Sequence, residues 1–234
     1  MPTDHPLSPG GRTLCVLDAN VLLPPRLSDL LFDLFLHGLY APRWTQAIEG
    51  EFLRHFGEVA LAKNKQERKA IHAAPQNIAY ITHIAKAKYR LHCFRSAVGA
   101  EYEVLLYDKP DYKSKVPSAV HAGDIHIASA ALVLHTLAQE EGLADQVFIV
   151  SNNLQHLAVT EMAAIGIAVI SAGDLIKQLN AAAPDQVERA LMKTINDLLT
   201  PRITQEYLLR LLLIHGAGET ANYYAAKWGV AIPQ

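Results

Sequence analysis

The sequence has 234 residues, half of them hydrophobic, and a formal net charge of −2 from 21 Lys and Arg against 23 Asp and Glu. This composition excludes a chain that is disordered over most of its length, and it is sufficient for one full core. The near-neutral balance also excludes a strongly basic nucleic-acid binder, so any such affinity must be local.

Features that report on the compartment point to the cytoplasm. Cys15 and Cys93 are too few for a disulfide framework or a four-ligand zinc site, and we predict that both are small buried hydrophobes. The first residues, MPTDHPLSPGGR, lack a basic segment followed by an apolar one, so no secretory signal is predicted. No apolar run approaches the roughly 20 residues that a membrane helix needs. We therefore expect a cytoplasmic protein without membrane contact.

The chain begins with alternating strand-like and helical patterns. Residues 14–17 form a short apolar run typical of a strand covered on both faces, and Asp18 follows directly. Ser28 is predicted to cap a helix that ends at Gly38. The segment LYAPRW is predicted to be a second strand.

A long helical region comes next. Thr45 is predicted to cap a helix to about residue 60, with Glu51 beside its apolar face. Residues 63–95 are again helical, in one segment or in two divided near Pro75, and they are locally basic. The cations are Lys63, Lys65, Arg68, Lys69, Lys86, Lys88, Arg90 and Arg95. A solvated helical face explains them most simply; the alternative is contact with RNA phosphates, which would weaken steeply with salt.

The next part of the chain contains further strands and helices. Asp124 precedes IHIASAALVLHTLAQEEG, a helix rich in small residues of the type that packs closely on a sheet. QVFIV is the next strand and ends at Ser151, Asn152 and Asn153. GIAVIS is another strand, and Asp174 is predicted to open a short helix.

Beyond about residue 180 the pattern is purely helical, with predicted helices near residues 186–199, 204–214 and 220–228. We therefore divide the chain into an α/β domain at residues 12–178 and a helical appendage at residues 179–234. The apolar row of the appendage is most simply its own core, and alternatively a contact with a partner. Its members are Tyr207, Leu208, Leu211 and Leu212.

Strands that alternate with helices predict βαβ units. We expect a three-layer α/β/α sandwich with a mainly parallel central sheet. Ligands of such sheets bind outside the carboxyl ends of the strands. Asp18 and the segment from Ser151 to Asn153 both follow strands, so we expect them at the same edge.

Three acids stand at comparable places: Asp18 at a strand end, Glu51 on a helix and Asp124 at a helix start. A buried cluster of carboxylates needs a cation or protons, and oxygen ligands without cysteine favour Mg²⁺ or Mn²⁺ over zinc. Such an ion suits hydrolysis of a phosphodiester. The simpler alternative is that aspartates at strand ends and helix starts are caps or turn residues.

Four segments, in order, carry a resemblance to a known family. They are LDANVLLPPRLSDLLFDLFLHGLYAPRWTQAIEGEF, GDIHIASAAL, VFIVSNNLQHL and GIAVISAGDLI. Together they resemble the PIN domain family, close to the VapC-type ribonuclease toxins and their longer relatives with a helical C-terminal extension. PIN domains are α/β/α sandwiches in which four acids hold one or two Mg²⁺ or Mn²⁺ ions for RNA cleavage. The resemblance implies a metal-dependent endoribonuclease, with RNA as substrate and with a small antitoxin and a second copy as partners.

The resemblance assigns the first three acids of the family to Asp18, Glu51 and Asp124, which would bind the ion. The fourth acid matches Asn153, an amide, which would complete the site as a neutral ligand or hold a water. The residues that would orient these groups are Asn20, Ser151 and Asn152.

Several alternatives remain open at this point. Glu49 competes with Glu51 for the second acid, and the residue not used would be an exposed helix charge. The histidines near the acids in sequence could accept a proton or bind phosphate, but a surface or core role fits each better; they are His55, His121 and His126. The side chain of His126 is predicted to diverge from that of Asp124.

Two other functions compete with the nuclease. One is a catalytically silent PIN module that binds RNA or a protein partner, the fourth acid having been replaced. The other is a phosphatase of the haloacid dehalogenase type, whose first strand also ends in aspartate. That class needs a second aspartate two residues later, where Asn20 stands.

Overall fold

The computed structural model describes residues 12–61, 78–142, 144–197 and 202–232. Its strands are β1 Thr13–Leu17, β2 Ala41–Arg43, β3 Gln146–Val150 and β4 Ala168–Ile170. They form one sheet in the order β2-β1-β3-β4, and every pairing is parallel. Helices flank the sheet, so the predicted three-layer α/β/α architecture is confirmed.

The helices before β3 are α1 Ala19–Leu22, α2 Pro25–Leu36, α3 Gln46–Leu61, α4 Ile78–Val98, α5 Pro110–Lys113 and α6 Ile125–Glu141. Those after it are α7 Val159–Ala164, α8 Ala172–Ala182, α9 Pro184–Asp197, α10 Gln205–Ile214 and α11 Gly218–Trp228. Short 3₁₀ turns span Ala100–Tyr102, Ala122–Asp124 and Leu154–His156. Within the described ranges, no helix combines the length and the apolar character needed to cross a membrane.

Helix α2 begins earlier than the sequence pattern suggested. Pro25 is its first residue, a position that proline favours because its missing N–H has no helical partner there. Ser28 is therefore buried inside the helix, and its hydroxyl donates to the carbonyl oxygens of Pro24 and Pro25, each at 3.1 Å. The prediction that Ser28 caps this helix was wrong.

The C-terminal helices pack against the α/β layers. Helix α9 lies on α2, where Thr194 Oγ1 donates to Asp33 Oδ2 at 2.6 Å. Helix α11 contacts α8, and the buried apolar side chains of these helices join the core of the sheet. Leu208 is fully buried, but Tyr207 is 46% exposed, so its predicted place in a core was wrong. The boundary placed at residue 178 falls inside α8, and the division into two domains stays a prediction.

One residue of helix α4 that we predicted to be buried is exposed to solvent. Cys15 is buried in β1 as expected, and burial raises the pKa of its thiol, but Cys93 on α4 is exposed, contrary to the prediction. Two cations of the basic region are ion-paired: Arg90 with Asp29 at 2.6 Å, and Arg95 with Glu49. Part of that region lies outside the described residues, namely Lys63, Lys65, Arg68, Lys69 and Pro75.

Candidate active site at the carboxyl edge of the sheet

The ends of β1 and β3 bring distant polar residues together. Leu17 lies opposite Val150 in the parallel register. The backbone N–H of Asp18 then donates to the Val150 carbonyl at 3.0 Å, and that of Ser151 donates to the Ile170 carbonyl at 3.0 Å. Asp18 and Ser151 therefore extend neighbouring strands at the same edge, as the rule for ligand sites of parallel sheets predicts.

Asp18 is held by a network of neutral donors. It is buried, with 5% exposure, and its Oδ2 accepts from Ser151 Oγ at 2.6 Å and from Asn20 Nδ2 at 2.5 Å. Asn20 Nδ2 also lies 3.0 Å from Ser151 Oγ, and the backbone N–H of Asn152 donates to Asn20 Oδ1 at 2.9 Å. The three residues expected to orient the acid thus fix one of its oxygens.

The other two acids share the electrostatic environment of Asp18. Burial raises the pKa of Asp18, and repulsion from the charges of Glu51 and Asp124 raises it further, against the hydrogen bond from Ser151. Burial likewise raises the pKa of Glu51, and Asp124 adds to that shift, whereas Arg54 opposes it. The three carboxylates, on or next to β1, α3 and the turn before α6, therefore influence one another electrostatically. Their oxygens do not all lie within 4.8 Å of one another, the spacing at which His121, Asp124 and His156 are found.

Capping does not explain the two aspartates. Asp18 and Asp124 occupy the N-cap positions of α1 and α6, yet neither side chain accepts a capping hydrogen bond. Asp124 Oδ2 is buried and has no hydrogen-bond partner among the described residues. A buried carboxylate oxygen without a donor is costly, which makes a cationic ligand the simpler explanation.

Glu49 and Glu51 have different environments although they are two residues apart on α3. Glu49 is 5% exposed and accepts hydrogen bonds from Trp44 Nε1, at 2.9 Å, and from Arg95. It is a paired, buried charge, so the prediction that the unused acid would be exposed was wrong. Glu51 instead lies 3.8 Å from Arg54 and 3.8 Å from His126 Nε2.

Asn153 is exposed at the rim of the site. Its backbone N–H donates to Ser151 Oγ at 3.0 Å, and its side-chain Nδ2 lies 2.9 Å from His156 Nδ1. His156 Nδ1 is in turn 3.4 Å from Asp124 Oδ2. The amide at the fourth position is thus in contact with an imidazole that itself lies beside Asp124.

The histidines lie closer to the acids than predicted. His126 is largely buried beside Glu51; burial lowers its pKa, while the charges of Asp18 and Asp124 act in the opposite direction. The premise that Asp124 and His126 share a helix was wrong, because Asp124 belongs to a 3₁₀ turn and α6 begins only at Ile125; the divergence of their side chains stays a prediction. His55 lies one helical turn after Glu51 on α3 and lowers the pKa of that acid.

His156 was not singled out from the sequence. It occupies a 3₁₀ turn after β3, three residues beyond Asn153. The only sequence signal was that short spacing from a strand end, and a turn of unknown geometry does not fix the direction of a side chain.

An open groove of about 580 Å³ lies beside Glu51, the second acid. The polar side chains that line it are Glu51, Arg54, Tyr107, Asp108, Lys113 and His126. Cations thus flank the second acid on the surface, where an extended anionic ligand can reach them.

Comparison with known proteins gives no independent assignment of this site. No family model, curated protein or solved structure matches the chain. The assignment of a function therefore depends on the residues themselves and on the resemblance of the quoted segments.

Asp18→Asn is expected to stabilise the metal-free protein at about pH 7, by about 0.5–2 kcal/mol. The folded state raises the pKa of Asp18, so it binds more protons than the unfolded chain, and stability is lost as the pH rises through that raised value. An amide oxygen keeps both hydrogen bonds without the charge. The gain should shrink as the pH falls towards about 4, because protonation of Asp18 removes the same charge that the substitution removes. Melting curves of both proteins in EDTA, at both pH values, check this; a gain that is equal at both would contradict it.

Proposed function

We propose that this protein is a divalent-metal-dependent endoribonuclease. The observation that supports this most directly is that Asp18, at the carboxyl edge of the parallel sheet, has its pKa raised by the charges of Glu51 and Asp124 as well as by burial. Neither aspartate acts as a cap, and Asp18 forms no ion pair within the described ranges. A cluster of this kind is stable only with protons or a cation.

The donor set fits Mg²⁺ or Mn²⁺. All three acids offer oxygen, the ligand that these hard ions prefer, and Asp124 Oδ2 is a buried acceptor without a donor. Asp18, Glu51 and Asp124 would hold the ion. When bound, it supplies charge neutralisation and polarisation of a phosphate oxygen during hydrolysis.

The chain itself supplies orientation. Ser151 and Asn20 both donate to Oδ2 of Asp18, which leaves Oδ1 as the oxygen for a cation. Such partners fix the direction of a ligating carboxylate. His126 lies beside Glu51 and lines the groove, and burial lowers its pKa, so we assign to it the acceptance of a proton there.

The groove suits a nucleic-acid backbone. Arg54 and Lys113 are exposed along it, within reach of phosphates that approach Glu51. Because the net charge of the chain is −2, this local pair would matter more than any field of the whole molecule. Binding through such contacts falls with added salt.

We further propose, from the resemblance to VapC-type toxins, that the enzyme acts in the cytoplasm as the toxin of a toxin–antitoxin pair. A small antitoxin protein and a second copy of the chain are the expected partners. Exposed apolar side chains on α10 and α11 support a contact surface; they include Tyr207, Leu213, Ile214 and Tyr223.

Cleavage of end-labelled single-stranded RNA tests the activity. The purified chain is incubated with Mg²⁺ or Mn²⁺, with EDTA and the Asp124→Asn protein as controls. We expect products that disappear in both controls. Products that persist in EDTA, or in the substituted protein, would exclude this site as their source.

A catalytically silent RNA-binding or protein-binding module is the second candidate. The observation that favours it is the amide at Asn153, which contacts His156 and not a carboxylate. In that case the RNA would be retained in a filter-binding assay but stay intact in both metals. Salt-sensitive retention without turnover would decide for this module.

A further inference from the structure

Three side chains next to the acid cluster form a second group with metal-ligand spacing. His121, Asp124 and His156 each place a ligand atom within 4.8 Å of the other two. Asp124 Oδ2 lies 3.4 Å from His156 Nδ1 and 3.9 Å from His121 Nδ1. The group therefore combines two imidazole nitrogens with one carboxylate oxygen, a different donor set from the all-oxygen cluster.

The backbone holds this group together. The N–H of His121 donates to the carbonyl of His156 at 2.8 Å, and the N–H of Asp124 donates to the carbonyl of His121 at 2.8 Å. The two imidazole rings stack with centroids 4.7 Å apart and planes 26° apart. Little further ordering would be needed on binding, because residues 121 and 156 are already joined.

The two imidazoles have polar contacts within the fold, whereas the carboxylate oxygen has no hydrogen-bond donor among the described residues. His121 Nδ1 accepts from the backbone N–H of Gly123 at 3.2 Å, and the side-chain amide of Asn153 lies 2.9 Å from His156 Nδ1, so a metal ion bound to these nitrogens would replace both contacts. Asp124 Oδ2 is buried and receives no hydrogen bond from any described residue. A buried carboxylate oxygen without a donor, next to two imidazoles, is a position that a cation would stabilise.

We propose that His121, Asp124 and His156 bind a transition-metal ion of the Zn²⁺ class. Two imidazoles and one carboxylate are a typical zinc set that leaves a coordination position open, whereas Mg²⁺ rarely accepts nitrogen ligands. Asp124 belongs to both groups of residues, so the two positions are adjacent. The site does not depend on RNA cleavage, since it is defined by its ligands alone.

Co²⁺ is the probe, because it replaces Zn²⁺ and absorbs visible light in a way that reports its ligands. The tag-free full chain, stripped of metal and kept in excess Mg²⁺ to fill the all-oxygen position, is titrated with Co²⁺, and Zn²⁺ affinity is measured by calorimetry. We expect one ion per chain. His121→Ala and His156→Ala should each weaken binding at least about 100-fold, since even residues that only support a ligand cost 10–100-fold.

Matched variants separate this site from other histidines and from the proposed activity. His92→Ala removes an exposed histidine of α4 and should leave Co²⁺ affinity unchanged. Asp18→Asn should abolish RNA cleavage but retain Co²⁺ binding, because Asp18 is not a ligand of this ion. Circular dichroism and melting curves of each variant show that the comparison is between folded proteins.

Binding measurements can overturn the proposal in two ways. The unsubstituted chain could bind neither Co²⁺ nor Zn²⁺, or a folded variant with both histidines replaced could keep the same affinity. A third measurement needs no substitution. X-ray absorption of the zinc-loaded protein should show two imidazole nitrogens as ligands, and a spectrum with oxygen ligands alone would exclude the site. None of these metal-binding results depends on whether RNA is cleaved.

Discussion

Glu51→Gln is expected to lower the rate of RNA cleavage at least about 100-fold and to leave folding stability within about 0.5 kcal/mol. Glu51 faces the groove and interacts electrostatically with Asp124, so in the proposed nuclease an amide there removes a ligand of the ion. Burial and repulsion from Asp124 already disfavour its charge in the metal-free fold, and its contact with Arg54, at 3.8 Å, is loose. Loss of the charge therefore costs the fold little.

The matched control is the same substitution two residues earlier. Glu49 accepts from Trp44 and Arg95 in a buried setting, so Glu49→Gln should cost about 1.5–3 kcal/mol of stability. Its side chain does not line the groove, and cleavage measured below the melting temperature should be unchanged. Initial rates and urea unfolding of both variants give the comparison. The reverse pattern, with Glu49 needed for cleavage and Glu51 dispensable, would show that the second acid is misassigned.

Gly173→Ala is expected to destabilise the protein by about 1–3 kcal/mol or more. A Cβ atom at this position of α8 would lie 2.3 Å from the carbonyl oxygen of His215 and 2.5 Å from the carbonyl carbon of Gly216. Both are backbone atoms of the connection between α10 and α11, so the last two helices would have to move. The close approach of α8 to this connection thus requires a residue without a side chain.

Gly50→Ala provides the opposite expectation. Gly50 lies inside α3, is exposed, and has no atom within 4 Å of the place that a Cβ would take. Alanine there should raise stability by about 1 kcal/mol, because glycine is the poorer helix former. For a chain of this size 1 kcal/mol corresponds to about 2–4 °C in melting temperature. Equal shifts for the two substitutions would mean that α8 does not meet the α10–α11 connection as described.

Much of the fold follows from local patterns. The sequence predicted the apolar strand β1 and its end at Asp18, and likewise the end of β3 at Ser151. All three lie where the parallel register predicts. Local rules failed where tertiary contacts decided. Ser28 is a good cap by type, but Pro25 had already begun the helix.

Partners of the site residues could not be predicted in this way. Glu49 and Glu51 look alike in the sequence, and only the position of Arg95, 46 residues away, gives one of them a buried ion pair. The position of His156 shortly after a strand is not unusual in sequence. In the structure its carbonyl accepts from the backbone N–H of His121, and its ring lies beside Asp124. The roles proposed for these residues remain predictions for the experiments above.

The sequence by itself determined the alternation of strands and helices and the edge of the sheet where polar groups gather, because periodicity and strand ends are local properties of the chain. Only the tertiary structure decided which carboxylates are paired and which have no hydrogen-bond donor. It also decided that two imidazoles lie beside Asp124. These depend on burial and on contacts between residues far apart in sequence, which no short window contains.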